Sequence, residues 1–272
     1  MQIGPIERWS APPEHLDLSA NELHVWSACL EPERYSLSTL QRTLSGDEMD
    51  RAEKYRFAVD RDQFIAARGL LRMILGRYLG TPPEQLEFCY SAYGKPSLDI
   101  ELGGTSLEFS VSHSSSWVLF AVTRGRQVGI DIERIRSLPE VQALVERYFS
   151  SAEQAAFRAL PSEQQPLAFF RCWTRKEAYV KAKGQGLSLG LDRFVVSLAP
   201  GEPARLLDVD EDQQEASCWS LHELSPGPDY VATLAVEGQG LRLSRYRLPR
   251  YTVRYPCGVS MMSCERRNSS WR

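Results

Sequence analysis

Short segments with apolar residues at alternate positions are interspersed with longer segments in which apolar residues recur every three or four positions. The first pattern predicts β-strands, and the second predicts amphipathic helices. Strands are predicted at 23–30, 86–89, 107–113, 117–123, 128–133, 193–198, 217–223 and 230–236. Helices are predicted after a capping box that starts at Ser45, around Arg61, and at 139–149, 151–160 and 164–183. This mixture of elements predicts an α+β fold.

The order of these elements is similar in the two parts of the chain. Each part runs from a strand through helices to further strands, with a break near Gly125. We therefore predict two similar α+β halves, at 21–125 and 126–248, that pack together with a site between them. The polar segment 1–20 is expected to be loosely ordered. The arginine-rich segment 249–272 lacks periodicity, and we assign no function to this tail.

Composition narrows the class of protein. With a net charge of −3 over 272 residues, the chain has no general basic field that would recruit nucleic acid. No apolar run approaches the length of a membrane-spanning helix, and the N-terminus lacks a secretory signal pattern. The six cysteines include no CxxC pair, as expected of reduced thiols in a cytosol. The sequence predicts a cytoplasmic protein without nucleic-acid or membrane partners.

The segment Val128-Gly129-Ile130-Asp131-Ile132-Glu133 is the first whose residue types suggest chemistry. As a strand, it would point Asp131 and Glu133 to the same face. Two solvated carboxylates at a strand end are the ordinary interpretation of such a pattern, because acids are mostly exposed. The apolar neighbours indicate a buried strand instead. Two acids on one buried face repel each other unless a cation or basic groups compensate them.

The segment 173–187 is more specific. It predicts a helix that ends at Gly184 and carries Glu177 and Lys181 on one face, four residues apart. A surface helix supported by this pair is the ordinary alternative. If the helix lies beside the acidic strand, three carboxylates surround a point with a lysine next to it. Carboxylates together with substrate phosphates suit Mg²⁺, and a cation beside an ammonium group is typical of phosphoryl transfer.

Two further polar segments are candidates for ligand binding. Ser112 and His113 end a predicted strand, but the chain has no GxSxG motif there and neighbouring strand residues face opposite sides, which disfavours a serine hydrolase. They are candidates for binding a phosphate or a base, with a structural histidine as the alternative. The turn Tyr93-Gly94-Lys95-Pro96 places Lys95 on rigid backbone, although an isolated lysine in a turn is usually only solvated.

These segments together resemble the signature of the 4′-phosphopantetheinyl transferase superfamily, and more closely its Sfp-type branch of long, pseudo-dimeric enzymes. The family pattern is similar to 128–133, followed about forty residues later by 173–181 and by Gly184-Gln185-Gly186-Leu187. The resemblance extends to 93–96, to 112–114 and to the region of Arg61, and it spans roughly 22–247. The tail 249–272 lies outside it.

The resemblance implies two α+β halves related by pseudo-twofold symmetry, with the active site in the cleft between them. It also implies Mg²⁺ as cofactor and coenzyme A as co-substrate. The metal-ligand positions would be Asp131, Glu133 and Glu177. The catalytic positions would be Glu177 and Lys181. The coenzyme A contacts would be Arg61, Lys95, Pro96, Ser112, His113, Lys176 and Lys181. Glu153 matches an acid near the active site.

The activity implied is transfer of the 4′-phosphopantetheine group of coenzyme A to a serine of an apo acyl or peptidyl carrier protein, with release of adenosine 3′,5′-bisphosphate. The carrier would belong to a fatty-acid, polyketide or non-ribosomal peptide synthase, and the enzyme is expected to be a monomer. Two alternatives stay open. One is a Mg²⁺-dependent phosphoryl or nucleotidyl transferase acting on a small molecule, and the other is a non-catalytic coenzyme A-binding module.

Overall fold

The computed structural model describes residues 9–31, 35–99, 106–210 and 212–248. The α-helices in this part of the chain are α1 (Leu37–Gln41), α2 (Gly46–Glu53), α3 (Ala58–Leu79), α4 (Val141–Tyr148), α5 (Ser151–Arg158), α6 (Gln165–Lys183) and α7 (Gln213–Ser217). The strands are β1 (Glu22–Cys29), β2 (Phe88–Tyr90), β3 (Pro96–Leu98), β4 (Leu107–Ser114), β5 (Trp117–Arg124), β6 (Val128–Arg134), β7 (Phe194–Val196), β8 (Leu206–Val209), β9 (Trp219–Leu224), β10 (Tyr230–Glu237) and β11 (Arg242–Arg247).

Two main sheets form the centre of the protein. The first has the strand order β11-β1-β5-β4, and the second has the order β6-β10-β9. β4 and β5 pair antiparallel as the hairpin that the sequence predicts, and β10 lies antiparallel between β6 and β9. β4 and β6 are therefore edge strands of different sheets, and their elements lie in contact with each other.

The sheets and the two long helices are stacked in layers. One face of the first sheet carries Trp26, Phe120 and Val122, which pack with the apolar residues of α3. The opposite face meets the second sheet in a core that includes Leu119 and Ile130. α6 covers the outer face of the second sheet, and α4 and α5 pack against α6. The order of layers is thus helix, sheet, sheet, helix, and the polar edge between β4 and β6 lies beside the core.

The predicted capping box is present at the start of α2. The Glu48 carboxylate accepts a hydrogen bond from the backbone N–H of Ser45, which is the N-cap residue. The same carboxylate binds the buried guanidinium groups of Arg68 and Arg72 on α3. This fully satisfied network joins α2 to α3, and α3 ends at Gly80 in the left-handed conformation that favours glycine.

The mixed α+β architecture is confirmed, and the pseudo-twofold relation between the halves stays a prediction. The boundaries of the two halves also stay a prediction. β11, from the end of the predicted C-terminal half, pairs in parallel with β1 of the first sheet. Part of the segment predicted to be loosely ordered is packed, since Ser10 bridges to Tyr246 and Leu18 is buried. The tail 249–272 lies outside the described residues.

Disulfide bonds and helices suited to crossing a membrane are both absent from the part of the chain that the structure describes. The cysteines there, Cys29, Cys89, Cys172 and Cys218, are free thiols. None of the helices there is both long enough and apolar enough to cross a membrane.

Candidate active site

The acidic strand and the long helix meet as the sequence predicts, and a glycine makes their close approach possible. A Cβ atom on Gly129 of β6 would lie 2.0 Å from the carbonyl oxygen of Ala178 and 2.4 Å from the backbone nitrogen of Ala182, both on α6. Because backbone atoms cannot move aside as a flexible side chain would, only glycine allows β6 to lie this close to α6. Asp131 and Glu133, at alternate positions after Gly129, therefore share its face toward α6.

Asp131 and Lys181 form the centre of the site. The Lys181 Nζ atom lies 2.7 Å from Asp131 Oδ1 and donates a second hydrogen bond, 2.9 Å long, to Ser112 Oγ. Ser112 Oγ in turn donates to Asp131 Oδ1 over 2.8 Å. Asp131 is buried, whereas the Lys181 side chain is 32% exposed, so the charge of Lys181 remains accessible to solvent.

Glu177 and Glu133 complete the acidic cluster. Burial raises the pKa of Glu177, and the charges of Asp131 and Glu133 raise it further, while Lys181 opposes the shift. Burial also raises the pKa of Glu133, Asp131 adds to this, and a hydrogen bond from Ser114 opposes it. The three carboxylates are thus close enough to repel one another, which favours either a proton or a bound cation among them.

The residues fit a hard cation by their chemistry. Asp131 Oδ2 is buried and has no hydrogen-bond partner, which leaves a free acceptor in the cluster. All candidate ligands are carboxylate oxygens, the type that Mg²⁺ prefers. With the side chains as they stand, however, no group of three or more His, Cys, Asp or Glu side chains among the described residues is arranged to hold a metal ion. The roles of Asp131, Glu133 and Glu177 as metal ligands therefore stay a prediction.

Ser112 and His113 face opposite sides of β4, as neighbouring strand residues must. Ser112 faces Asp131 and Lys181. The His113 ring lies near the start of α3, close enough for the charge of Asp60 to act on its pKa. Burial of the ring by neighbouring protein and the charge of Lys181 lower the pKa of His113, against Asp131 and Asp60, so the neutral imidazole is favoured. Ser112 therefore lies on the β6 side of β4, and His113 lies on the α3 side.

The turn with Lys95 and Pro96 is attached to the site elements. Gly94 has a φ of +81°, a conformation that glycine permits. The ammonium group of Lys95 donates to the carbonyl oxygens of Val128 (3.3 Å) and Ala182 (3.0 Å), which joins this turn to both β6 and α6. Burial lowers the pKa of Lys95. Lys95 thus has a structural function that the sequence did not predict, and its contact with coenzyme A, like that of Pro96, stays a prediction.

Lys176 is the predicted site residue that the structure places elsewhere. Its side chain is fully buried, and its ammonium group binds the Glu153 carboxylate (2.7 Å) and the carbonyl oxygens of Leu191 (2.6 Å) and Phe194 (2.7 Å). Neighbouring residues on a helix project about 100° apart, so Glu177 can face β6 while Lys176 faces α5 and the segment 191–194. The prediction that Lys176 contacts the phosphates of coenzyme A is therefore corrected: Lys176 is a structural residue.

Glu153 is the partner of Lys176 and is equally buried. It accepts hydrogen bonds from the backbone N–H groups of Ser150 and Val196, at 2.8 and 2.7 Å. The first of these belongs to the capping box of α5. Glu153 therefore joins α5, α6 and β7, and no exposed part of it faces the acidic cluster.

Arg61 lies in the first turn of α3 and is exposed. Its guanidinium group binds the neighbouring carboxylate of Asp62 at 2.9 Å. The charge of the neighbouring Asp60 acts to raise the pKa of His113, so this turn of α3 lies near the edge of the site. A contact between Arg61 and coenzyme A stays a prediction.

Two protein families match the two parts of the chain that contribute residues to this site. The family described as the 4′-phosphopantetheinyl transferase superfamily matches residues 127–235, and the family described as 4′-phosphopantetheinyl transferase, N-terminal, matches residues 28–124. The two matches fall on either side of the β5–β6 connection. The second sheet with α6 lies in the first match, and α3 with β4 and β5 lies in the second.

Curated relatives carry the same name. The chain is 42% identical to the 4′-phosphopantetheinyl transferase HetI of a Nostoc species, over 85% of this chain and 94% of the relative. It is 35% identical to psf-1 of Bacillus pumilus, over 68% of this chain and 76% of the relative. It is 29% identical to Sfp of Bacillus subtilis, over 68% of this chain and 79% of the relative. The chain therefore belongs to the 4′-phosphopantetheinyl transferase superfamily, in the Sfp-type branch.

Proposed function

We propose that this protein transfers the 4′-phosphopantetheine group of coenzyme A to a serine hydroxyl of an apo acyl or peptidyl carrier protein in a Mg²⁺-dependent reaction. The observation that carries the proposal is the contact of Asp131 with Lys181, beside Glu177. These residues lie in the 127–235 family match, and Ser112, which binds both Asp131 and Lys181, comes from the 28–124 match. The family and the names of the relatives support the group transferred. The identity of the carrier and of its synthase is open.

Asp131, Glu133 and Glu177 would hold the cation, and the unpartnered Oδ2 atom of Asp131 supports this assignment. When bound, Mg²⁺ would supply positive charge next to the pyrophosphate of coenzyme A. A cation also offsets the mutual repulsion that, in addition to burial, raises the pKa values of Glu133 and Glu177.

The reaction needs a base, and Glu177 is the candidate. Burial, with a further contribution from the charge of Asp131, raises its pKa, which makes it a better proton acceptor than an ordinary carboxylate. The carrier serine oxygen attacks the phosphorus atom that bears pantetheine, and its proton passes to Glu177. The new serine–phosphorus bond forms as the bridging bond of the pyrophosphate breaks, and adenosine 3′,5′-bisphosphate leaves with the bonding electron pair.

Lys181 would stabilise the negative charge that develops on the phosphate oxygens and the leaving group. Its ammonium group is already fixed by Asp131 and Ser112, so little reorientation is needed when substrate binds. His113, on the α3 side of β4, would contact the nucleotide part of coenzyme A, with Arg61 at the start of α3 as a second candidate. Coenzyme A would then lie across the cleft between two pseudo-symmetric halves of a monomeric, cytoplasmic enzyme.

Release of adenosine 3′,5′-bisphosphate tests this assignment against its alternatives. We expect one equivalent of this product per carrier modified, with Mg²⁺ present, as measured by liquid chromatography. Product formed without modification of any carrier would favour a transferase that acts on a small molecule. Binding of coenzyme A without product and without any effect of Mg²⁺ would favour a binding module.

A further inference from the structure

Three serines on one face of β4 reach across to β6. Ser110, Ser112 and Ser114 occupy alternate positions, so all of them point toward the neighbouring edge strand. β4 and β6 belong to different sheets, and serine side chains make the polar contacts between these edges. We call Ser110, Ser112 and Ser114 the serine ladder.

The hydrogen bonds of Ser110 and Ser114 differ in one respect. Ser110 Oγ accepts a hydrogen bond from the backbone N–H of Ile130 (3.1 Å). Ser114 Oγ also accepts from a backbone N–H, that of Arg134 (3.1 Å), but in addition donates to the Glu133 carboxylate oxygen Oε2 (2.8 Å). The Ser110 hydroxyl therefore binds only a backbone N–H group. The Ser114 hydroxyl binds a backbone N–H group and also the carboxylate of Glu133.

We propose that Ser114 is a positioning residue that holds the Glu133 carboxylate in the orientation needed to bind the divalent cation. This inference rests on the proposed function, since it assigns Glu133 to the cation. It assigns to Ser114 a function that the sequence pattern did not predict.

The geometry gives the physical reason. The N–H of Arg134 fixes the direction of the Ser114 hydroxyl oxygen, so its single proton points to Glu133 rather than rotating freely. One carboxylate oxygen of Glu133 is then occupied, and the other is left free for a cation. Without this bond, a flexible glutamate side chain repelled by Asp131 would adopt other rotamers, and ordering it again would oppose cation binding.

The test is the affinity for Mn²⁺, used as a spectroscopic probe for the divalent cation. Ser114→Ala is expected to weaken Mn²⁺ binding about 10-fold or more, the usual effect of losing a hydrogen-bond partner of a metal ligand. Titration calorimetry or electron paramagnetic resonance of free Mn²⁺ measures this in the full-length protein without any turnover. The Mg²⁺ concentration for half-maximal activity should rise by the same factor, while kcat at saturating Mg²⁺ changes little.

Ser110→Ala is the matched control, because it removes the same hydroxyl from the same strand face but frees only a backbone N–H. We expect it to leave the Mn²⁺ affinity unchanged, and Ser114→Thr, which keeps a hydroxyl, to restore it. Equal losses in Ser110→Ala and Ser114→Ala would overturn the inference, since the serine ladder would then act only on structure. Unchanged Mn²⁺ affinity in Ser114→Ala, or no Mn²⁺ binding by the wild-type protein, would also overturn it.

Failure of the inference is distinguishable from failure of the proposed function. If the wild-type protein modifies a carrier and Ser114→Ala binds Mn²⁺ normally, only the role of Ser114 is wrong. If Mn²⁺ binds as expected but no carrier is modified, the proposed transfer is wrong, and the comparison of the serine variants still tests the role of Ser114.

Discussion

Replacing Glu177 by glutamine is expected to slow phosphopantetheine transfer by about 10²–10⁴-fold, the usual contribution of a general base. Glutamine has nearly the same shape but cannot accept the proton of the carrier serine. It also removes a negative charge from the cluster with Asp131 and Glu133. Single-turnover transfer to a carrier protein, measured at saturating Mg²⁺ and coenzyme A, separates the loss of the base from weaker binding.

The control for this variant is Glu163→Gln, which makes the same chemical change at an exposed position before α6. The control should transfer at the wild-type rate. Neither variant should unfold at a lower temperature than the wild-type protein, because Glu177→Gln relieves repulsion among buried acids and Glu163 is exposed. Near-normal turnover by Glu177→Gln would contradict the assignment of the base.

Replacing Lys176 by alanine is expected to lower the free energy of unfolding by about 3–5 kcal/mol, because it leaves the buried Glu153 carboxylate without its counter-charge. It also frees the carbonyl oxygens of Leu191 and Phe194. Urea denaturation followed by far-UV circular dichroism measures the loss. Removing both charges in the double variant with Lys176→Met and Glu153→Gln should recover much of this loss, because neither charge is then left unpaired.

Lys183→Ala is the matched control on the same helix. Its ion pair with Glu215 is partly exposed, so the expected loss is about 1 kcal/mol or less. If Lys176→Ala were as stable as the wild-type protein but needed far more coenzyme A for half-maximal activity, Lys176 would contact substrate after all. That result would contradict the structural role assigned to the pair with Glu153.

The comparison of Lys176 with Glu177 also shows what local sequence can predict. The pattern correctly predicts the helix, its end at Gly184 and the common face of Glu177 and Lys181. It cannot predict what the next face meets, because the partners of Lys176 come from α5 and from 191–196. Such contacts depend on how distant elements pack, and local periodicity carries no information about them.

The sheets show the same division. The hairpin of β4 and β5 is predictable because its strands are adjacent in sequence and joined by a short turn. The pairing of β11 with β1 joins residues more than two hundred positions apart, and it moves the end of the chain into the first sheet. The contacts of the serine ladder with β6 could not be predicted either, although the spacing of the three serines at alternate positions is visible in the sequence. Its meaning requires β6 as the neighbouring edge strand.

The most direct test of the proposed function is the intact mass of an apo carrier protein after incubation with this protein, coenzyme A and Mg²⁺. The account predicts a gain of one phosphopantetheine group, no gain when EDTA removes the cation, and recovery when Mg²⁺ is restored in excess. A carrier in which the acceptor serine is replaced by alanine should gain nothing. No gain on acyl and peptidyl carriers alike, despite measurable binding of coenzyme A, would contradict it.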